Sequence, residues 1–156
     1  MYNHAPADYD CPLCKLAEGG GNPITDQDDV VFHDDLITVF IAGKWRISNP
    51  GHVIIIPNKH IENLYDMENK YLHRIAEFSK DVAIALKEVY KCDGVSTRQH
   101  NEPAGNQDVW HYHLHVAPRY AGDNMYINDH EIEWPSKERR LPYAQKLRKY
   151  FANIKK

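Results

Sequence analysis

Three histidines alternate with other residues in the second half of the chain, and this alternation constrains the fold more than any other feature. The segment from Val109 to Val116 reads VWHYHLHV and is followed closely by Pro118. Successive side chains of a β-strand point to opposite faces, so His111, His113 and His115 would share one face. The other face is apolar enough to pack against a helix or a sheet. We therefore predict a half-buried strand with three imidazoles along one side of a cleft.

Three simpler explanations compete with a catalytic role for this histidine face. The histidines could form an exposed polar face, a three-histidine metal site or a group of hydrogen-bonded core residues. An accidental exposed face is disfavoured because histidine is an uncommon residue, whereas metal binding and histidine chemistry remain equally open. Neutral imidazole, with an ordinary pKa of about 6.5, can attack phosphorus without a separate base, and a neighbouring imidazole can donate a proton to the leaving group.

The rest of the chain predicts a single α+β domain. Short apolar runs predict the other strands, at 30–32, 37–41, 52–56 and 95–99. Apolar residues at three- and four-residue spacing predict a long helix over 67–91. A second amphipathic helix is predicted to begin near Pro142. Residues 1–10 are polar without a period and indicate a flexible N-terminal arm.

Composition and charge exclude several classes of protein. The chain has 156 residues and a formal net charge of −3, so no general basic field for nucleic-acid binding is expected. Its longest aliphatic run, 53–56, is far shorter than the roughly 20 apolar residues that cross a membrane. The first residues lack a signal-peptide pattern, so we expect a cytoplasmic protein without membrane or nucleic-acid partners.

Two of the three cysteines are spaced as a C-x-x-C pair, at Cys11 and Cys14. An odd number of cysteines without an export signal argues against a disulfide framework. The pair could supply two thiolates to a tetrahedral zinc site, which needs two further ligands. The alternative is a pair of reduced structural thiols.

Three motifs in a fixed order resemble the histidine triad (HIT) superfamily of nucleotide hydrolases and transferases. Residues 111–117 read HYHLHVA, which fits the alternating triad signature, and Pro118-Arg-Tyr follows. Upstream, 50–60 reads PGHVIIIPNKH and 104–111 reads AGNQDVWH, each similar to a stretch that precedes the triad in that family. The resemblance extends from about residue 11 to residue 126.

The resemblance implies an HIT-like α+β fold. Its parts would be a bent antiparallel sheet of about five strands, one long packed helix and a C-terminal helix. We divide the chain into a flexible arm at 1–10, an HIT-like catalytic domain at 11–130 and a basic C-terminal helical extension at 131–156. A homodimer is expected by analogy with the family.

The resemblance also implies an activity and a set of residues. The activity is hydrolysis or transfer at the α-phosphate of a nucleotide, with a nucleoside phosphoramidate or a dinucleoside polyphosphate as substrate. His113 would attack phosphorus to form a nucleotidyl-histidine, and His115 would hydrogen-bond the phosphate or the leaving group. The implied nucleotide-binding residues are Leu13, Leu16, Phe40, Gln99, Gln107 and His115.

The zinc-bearing branch of the family adds a structural zinc ion. Its implied ligands are Cys11, Cys14, His60 and His111, which would fill all four positions and leave none for activated water. Two other functions remain open. One is a non-catalytic nucleotide- or zinc-binding module on the same scaffold, and the other is a zinc hydrolase that uses all three triad histidines.

Two positions depart from the family pattern. The stretch 39–46, where many relatives carry an aspartate that binds the ribose, has no acidic residue, and Trp45 and Arg46 would supply a different contact. Asp108 stands where a serine or threonine often follows the loop glutamine, which places a negative charge near the expected phosphate.

Overall fold

A computed structural model of the chain describes residues 2–127 and 131–154. In those ranges seven strands form two antiparallel sheets. The strands are β1 (Val30–His33), β2 (Ile37–Ile41), β3 (Trp45–Arg46), β4 (Val53–Pro57), β5 (Gly94–Gln99), β6 (Leu114–Arg119) and β7 (Ile132–Glu133). The α-helices are α1 (Pro12–Ala17), α2 (Asn69–Ala85) and α3 (Lys137–Ile154). Within the same ranges, each helix is too short or too polar to cross a membrane.

The main sheet has five antiparallel strands in the order β1-β2-β4-β6-β5, which confirms the predicted α+β class and strand number. Asp34 forms the turn between β1 and β2, because its Oδ1 accepts hydrogen bonds from the backbone N–H groups of Leu36 and Ile37. All five residues of β2 are buried, as expected for a strand that is covered on both faces.

Helix α2 covers one face of the sheet. Its buried side chains recur at helical spacing and pack on β2, β4 and β6; they are Tyr71, Ile75, Phe78, Val82 and Ala85. The helix continues as one π-helical turn over Leu86–Tyr90 and ends at Lys91, which adopts a left-handed conformation. The predicted helix over 67–91 is therefore present, with its last turn wound more widely than an α-helix.

Helix α3 belongs to the same core as the sheet. It begins at Lys137, before the predicted start near Pro142, and its buried residues Ala144 and Phe151 join the core cluster around α2. The buried Arg140 donates two hydrogen bonds, at 2.7 and 2.9 Å, to the carboxylate of Asp29, which fixes the helix against the segment before β1. The proposed division after residue 130 borders residues 128–130, which lie outside the described residues.

The N-terminal segment makes specific contacts with the body of the chain. The carboxylate of Glu62 accepts hydrogen bonds from the backbone N–H groups of His4 and Ala5, at 2.5 and 3.1 Å. The Tyr9 hydroxyl accepts from the backbone N–H of Trp110 at 3.2 Å. These contacts hold the predicted arm over the loop that leads to the histidines.

The triad segment is only partly a strand, so the predicted strand over 109–116 is corrected. Strand β6 begins at Leu114, and the preceding residues are irregular because the backbone N–H of Tyr112 donates to Ile61 instead of to a neighbouring strand. The strand then continues through Pro118, where it was expected to have ended. Proline has no backbone N–H to donate. It is tolerated at position 118 because β4 pairs with β6 only up to Val116, so beyond that residue β6 has no neighbouring strand on the β4 side.

Candidate functional site

A cavity of about 390 Å³ lies on the face of the main sheet opposite α2, beside the segment that carries the triad. Its lining comes from distant parts of the sequence and falls into three chemical groups. Apolar side chains form one wall, with Leu13, Ile24, Phe40, Ile54 and Val109. Imidazoles contribute four rings, those of His52, His100, His113 and His115. Charged side chains also line the cavity, with Lys44, Arg46, Arg98 and Asp108.

His113 is held as a neutral imidazole with one fixed tautomer. Its Nδ1 lies 2.7 Å from the backbone oxygen of His111, and because a carbonyl only accepts, Nδ1 carries the proton. The lone pair is therefore on Nε2, which lies 3.7 Å from Oδ1 of Asp108 at the cavity. Burial lowers the pKa of His113 below its ordinary value, so the ring is uncharged at neutral pH. A buried neutral imidazole with an oriented lone pair is suited to nucleophilic attack.

His115 is the second imidazole of the cavity. Its ring centroid lies 4.9 Å from that of His113, and its Nδ1 lies 3.1 Å from Nε2 of His52. Burial and the neighbouring His52 hold the pKa of His115 well below its ordinary range. Because Nδ1 of His115 is paired with His52, its Nε2 is the ring nitrogen that can bind a substrate. The contact between the rings of His52 and His115 couples the position of the proton on one ring to that on the other.

His52 is expected to make folding depend on pH. Burial, and then the charge of Arg98, lowers its pKa to about 3, so the unfolded chain binds the proton more readily below pH of about 6.5. The free energy of unfolding should therefore fall on acidification, by about 1.4 kcal/mol per pH unit from this group. Urea unfolding between neutral pH and pH of about 5 should give a shallower pH dependence for His52→Gln than for the unchanged chain. Equal dependence in both would contradict this assignment.

Four sulfur and nitrogen ligands converge beside the cavity. The cluster contains Cys11, Cys14, His60 and His111, whose ligand atoms all lie within 4.8 Å of one another. Nδ1 of His111 lies 3.3 Å from Sγ of Cys11, and Nδ1 of His60 lies 3.3 Å from Sγ of Cys14. In a tetrahedral zinc site, bond lengths of about 2.3 Å to sulfur and 2.0–2.1 Å to nitrogen place these ligand atoms about 3.6 Å apart. The two thiols and two imidazoles therefore fit a tetrahedral metal ion.

The orientation of His111 supports metal binding at this cluster. Its Nε2 lies 2.9 Å from the backbone oxygen of Pro57, so Nε2 carries the proton and Nδ1 presents its lone pair to the thiols. Burial lowers the pKa of His111 to about 4, which keeps the ring neutral and able to coordinate. Since its ring faces the thiols, His111 does not share the cavity with His113 and His115. Within the described ranges this is the one Cys/His group of its kind, so the three-histidine metal site is not formed.

The predicted nucleotide-binding residues divide into those at the cavity and those away from it. Leu13 and Phe40 line the cavity together with His115. Leu16 lies behind this wall, 1 % exposed, in the apolar cluster that includes Phe40. Both suggested ribose contacts, Trp45 and Arg46, line the cavity, although Trp45 is 2 % exposed and packs edge-to-face with Tyr143.

The two predicted glutamines bind the protein itself. The Nε2 of Gln107 donates to the backbone oxygens of Glu62 and Val109, and its Oε1 accepts from the backbone N–H of Glu102. The Gln99 amide exchanges two hydrogen bonds with the amide of Asn101. Neither side chain lines the cavity. Both glutamine side chains thus fix the loop before the triad, and their role in nucleotide binding stays a prediction.

Arg98 and His100 occupy the cavity face that was assigned to Gln99. Arg98 is the direct cross-strand partner of His115, and side chains of a strand alternate between faces, so Gln99 points away. The sequence signal that could have found them is the period-2 alternation of β5, taken in register with β6. His52 was assigned to a structural turn, and its contact with His115 depends on the pairing of β4 with β6.

The HIT domain family model matches residues 25–122. The chain belongs to the HIT family. An uncharacterized HIT-like protein of Saccharolobus solfataricus is 26 % identical over 139 residues, which cover 89 % of this chain and 93 % of the relative. An adenosine 5′-monophosphoramidase of Saccharomyces cerevisiae is 29 % identical over 99 residues, which cover 64 % of this chain and 58 % of the relative.

A solved structure confirms the HIT fold. The Zn-bound histidine triad family protein of Mycobacterium smegmatis superposes with a TM-score of 0.74 and 24 % identity, covering 94 % of this chain and 96 % of the other. The Cys11–Cys14 cluster is consistent with the C-x-x-C branch of the HIT family. The cluster thus adds a candidate metal site to a fold that the sheet order and the family match establish independently.

Proposed function

We propose that this HIT protein is a nucleotide hydrolase or nucleotidyl transferase that acts at the α-phosphate through a nucleotidyl-His113 intermediate. The observation that carries the proposal is the neutral His113 ring, whose lone pair on Nε2 opens on a cavity large enough for a small ligand. The relationship to an adenosine 5′-monophosphoramidase supports the same chemistry.

The nucleotide is proposed to lie across the cavity with its base on the apolar wall. Leu13 and Phe40 would contact the base, and the phosphate would lie between His113 and His115. This placement suits both ends of the nucleotide. The apolar wall shields the base from water, and the imidazoles offer hydrogen bonds to the phosphate oxygens. Leu16, Gln99 and Gln107 are supporting residues in this proposal.

The proposed reaction has two displacements at phosphorus. Nε2 of His113 forms a bond to the α-phosphorus while the bond to the leaving group breaks, and the electron pair leaves with that group. The Nδ1–H of His113 keeps its hydrogen bond to the backbone oxygen of His111, which stabilises the positive charge that the ring acquires. Water, or another nucleophile in transfer, then bonds to the phosphorus while the bond to Nε2 breaks. The electron pair of that bond returns to Nε2 of His113, and the nucleophile loses its proton to solvent as the nucleotide is released.

His115 is proposed to act through the atom that faces the phosphate. In the productive arrangement Nε2–H of His52 donates to Nδ1 of His115, so that Nε2–H of His115 donates to a phosphate oxygen or to the leaving group. The low pKa of both rings keeps the pair neutral, which avoids two buried positive charges beside each other.

The cluster of Cys11, Cys14, His60 and His111 is proposed to hold a structural zinc ion. With four protein ligands the ion would have no open position, so its contribution would be to fix α1 and the backbone of His111 in place. The homodimer and the division into 1–10, 11–130 and 131–156 stay predictions from the resemblance.

Turnover by the purified full chain tests the proposal. AMP-morpholidate and diadenosine triphosphate should both release AMP, and acid quenching during turnover should trap the chain with AMP bound to His113, detectable by peptide mass spectrometry. Binding of AMP in the cavity without turnover of either substrate would contradict the proposed activity. That outcome would favour the non-catalytic nucleotide-binding module.

A further inference from the structure

Arg98 lies where the reaction proposed above would place its leaving group. It is on β5, directly opposite His115 on β6, and its side chain lines the cavity on the same face as that ring. Residues directly opposite each other on antiparallel strands have Cβ atoms about 4.5–5.5 Å apart. A substrate group in contact with Nε2 of His115 is therefore within reach of the guanidinium.

The guanidinium of Arg98 has no anionic partner among the described residues. Its Nε is buried and makes no hydrogen bond there, and it takes part in no ion pair within 2–127 and 131–154. A buried donor without an acceptor is costly, especially on a charged group. After the effect of burial, the positive charge of Arg98 further lowers the pKa of Arg46, so a second cation lies near the same end of the cavity.

The cavity is polarised between its two ends. At the end near His113, the carboxylate of Asp108 lies 4.0 Å from Nζ of Lys44, so these two charges offset each other. At the end near His115, Arg98 supplies a positive charge whose buried Nε has no hydrogen-bond partner in the described part of the chain. A ligand that lies along the cavity is thus most stable with its more anionic part near Arg98.

We propose that Arg98 binds the phosphate chain of the leaving group, so that HIT substrates with an anionic leaving group, such as nucleoside polyphosphates, are preferred over phosphoramidates with a neutral amine. This inference rests on the proposed function. In-line attack by His113 puts the leaving group on the far side of the phosphorus. With the phosphate between His113 and His115, as proposed above, that is the side of His115 and its cross-strand partner Arg98.

The preference also follows from the balance of protons in the proposed reaction. When the bond between the α-phosphorus and the bridging oxygen breaks, the electron pair moves to the β-phosphate, which leaves as an anion and needs no proton. An amine leaving group must instead take up a proton as its bond to phosphorus breaks, and the guanidinium of Arg98, opposite His115 on the cavity face, offers a neutral amine no ion pair. A guanidinium beside the departing oxygen stabilises the developing negative charge directly.

Substitution of Arg98 tests the preference through a ratio of two activities. The ratio of kcat/KM for diadenosine triphosphate to kcat/KM for AMP-morpholidate should fall about tenfold or more in Arg98→Gln and largely recover in Arg98→Lys. Lys80→Gln removes one exposed charge from α2, away from the cavity, and should leave the ratio unchanged. Equal losses for both substrates in Arg98→Gln would overturn the proposal, because Arg98 would then bind the α-phosphate itself.

A binding measurement decides the role of Arg98 even if the proposed activity fails. The unchanged chain should bind α,β-methylene-ADP about tenfold more tightly than AMP, and Arg98→Gln should bind the two with similar affinity. Thermal unfolding of both variants checks that the fold is retained. Equal affinity for the two ligands in the unchanged chain would overturn the proposal, whereas absence of turnover together with selective binding would overturn the proposed function alone.

Discussion

Replacement of His113 by alanine is expected to lower kcat/KM about 10³-fold or more for every nucleotide substrate, because in the proposed mechanism the variant lacks the atom that forms the bond to phosphorus. The adjacent imidazole of His115 is not arranged to replace it. The lone pair of His113 is aimed by the hydrogen bond to the backbone of His111, whereas His115 is paired with His52. Steady-state release of AMP, followed by chromatography, measures the loss.

The matched control for this substitution is His73→Ala, on the exposed face of α2. It should retain full activity, and circular dichroism and metal content should be the same for both variants. Loss of the His113 side chain removes one hydrogen bond from a 3 % exposed site, so a decrease in stability of about 1–2 kcal/mol is expected. Turnover by His113→Ala at close to the unchanged rate would exclude the nucleotidyl-histidine mechanism.

Removal of the metal is expected to have the largest effect on stability. A ligand that binds only the folded chain at a free concentration of 1,000 times its Kd stabilises it by about 4 kcal/mol, and a strong zinc chelator removes that contribution. The chain isolated with zinc should contain one equivalent by elemental analysis. Chelation should lower its thermal midpoint by several degrees, since α1 would lose its attachment to His111 and His60.

Two variants separate the metal ligands from other thiols. The double substitution Cys11→Ser with Cys14→Ser should abolish stoichiometric zinc binding, and a chelator should no longer shift its midpoint. Cys92→Ser alters a buried thiol outside the cluster and should keep one equivalent of zinc, even if it is less stable. Retention of a full equivalent of zinc by the double variant would contradict the assignment of the site.

Features that depend on nearby residues were predicted well from the sequence. The C-x-x-C spacing brings two thiols to one end of α1, because residues three apart lie on the same face of a helical turn. The long helix α2 follows from its own apolar spacing, since a helix is formed by local contacts. The resemblance to the HIT family then supplied His60 and His111, which are distant in sequence from the thiols.

Features that depend on register and long-range pairing were not predicted. Gln99 was assigned to the cavity, and a shift of one residue along β5 exchanges it for Arg98 or His100. The pairing of β3 with β7 joins Trp45 to Glu133, and strands of two residues carry no detectable period. Gln107 has the residue type of a phosphate ligand, but its buried amide is occupied by backbone groups of its own loop.

His111 serves two neighbours with different parts of the same residue. Its ring faces the thiols, while its backbone oxygen accepts the proton of the His113 ring. Redesign of this protein for another reaction therefore cannot remove the cysteine cluster without affecting the position of the His113 ring. A version without cysteines would need new packing around position 111 to keep that one carbonyl in place, and optimising the visible cavity alone would not provide it.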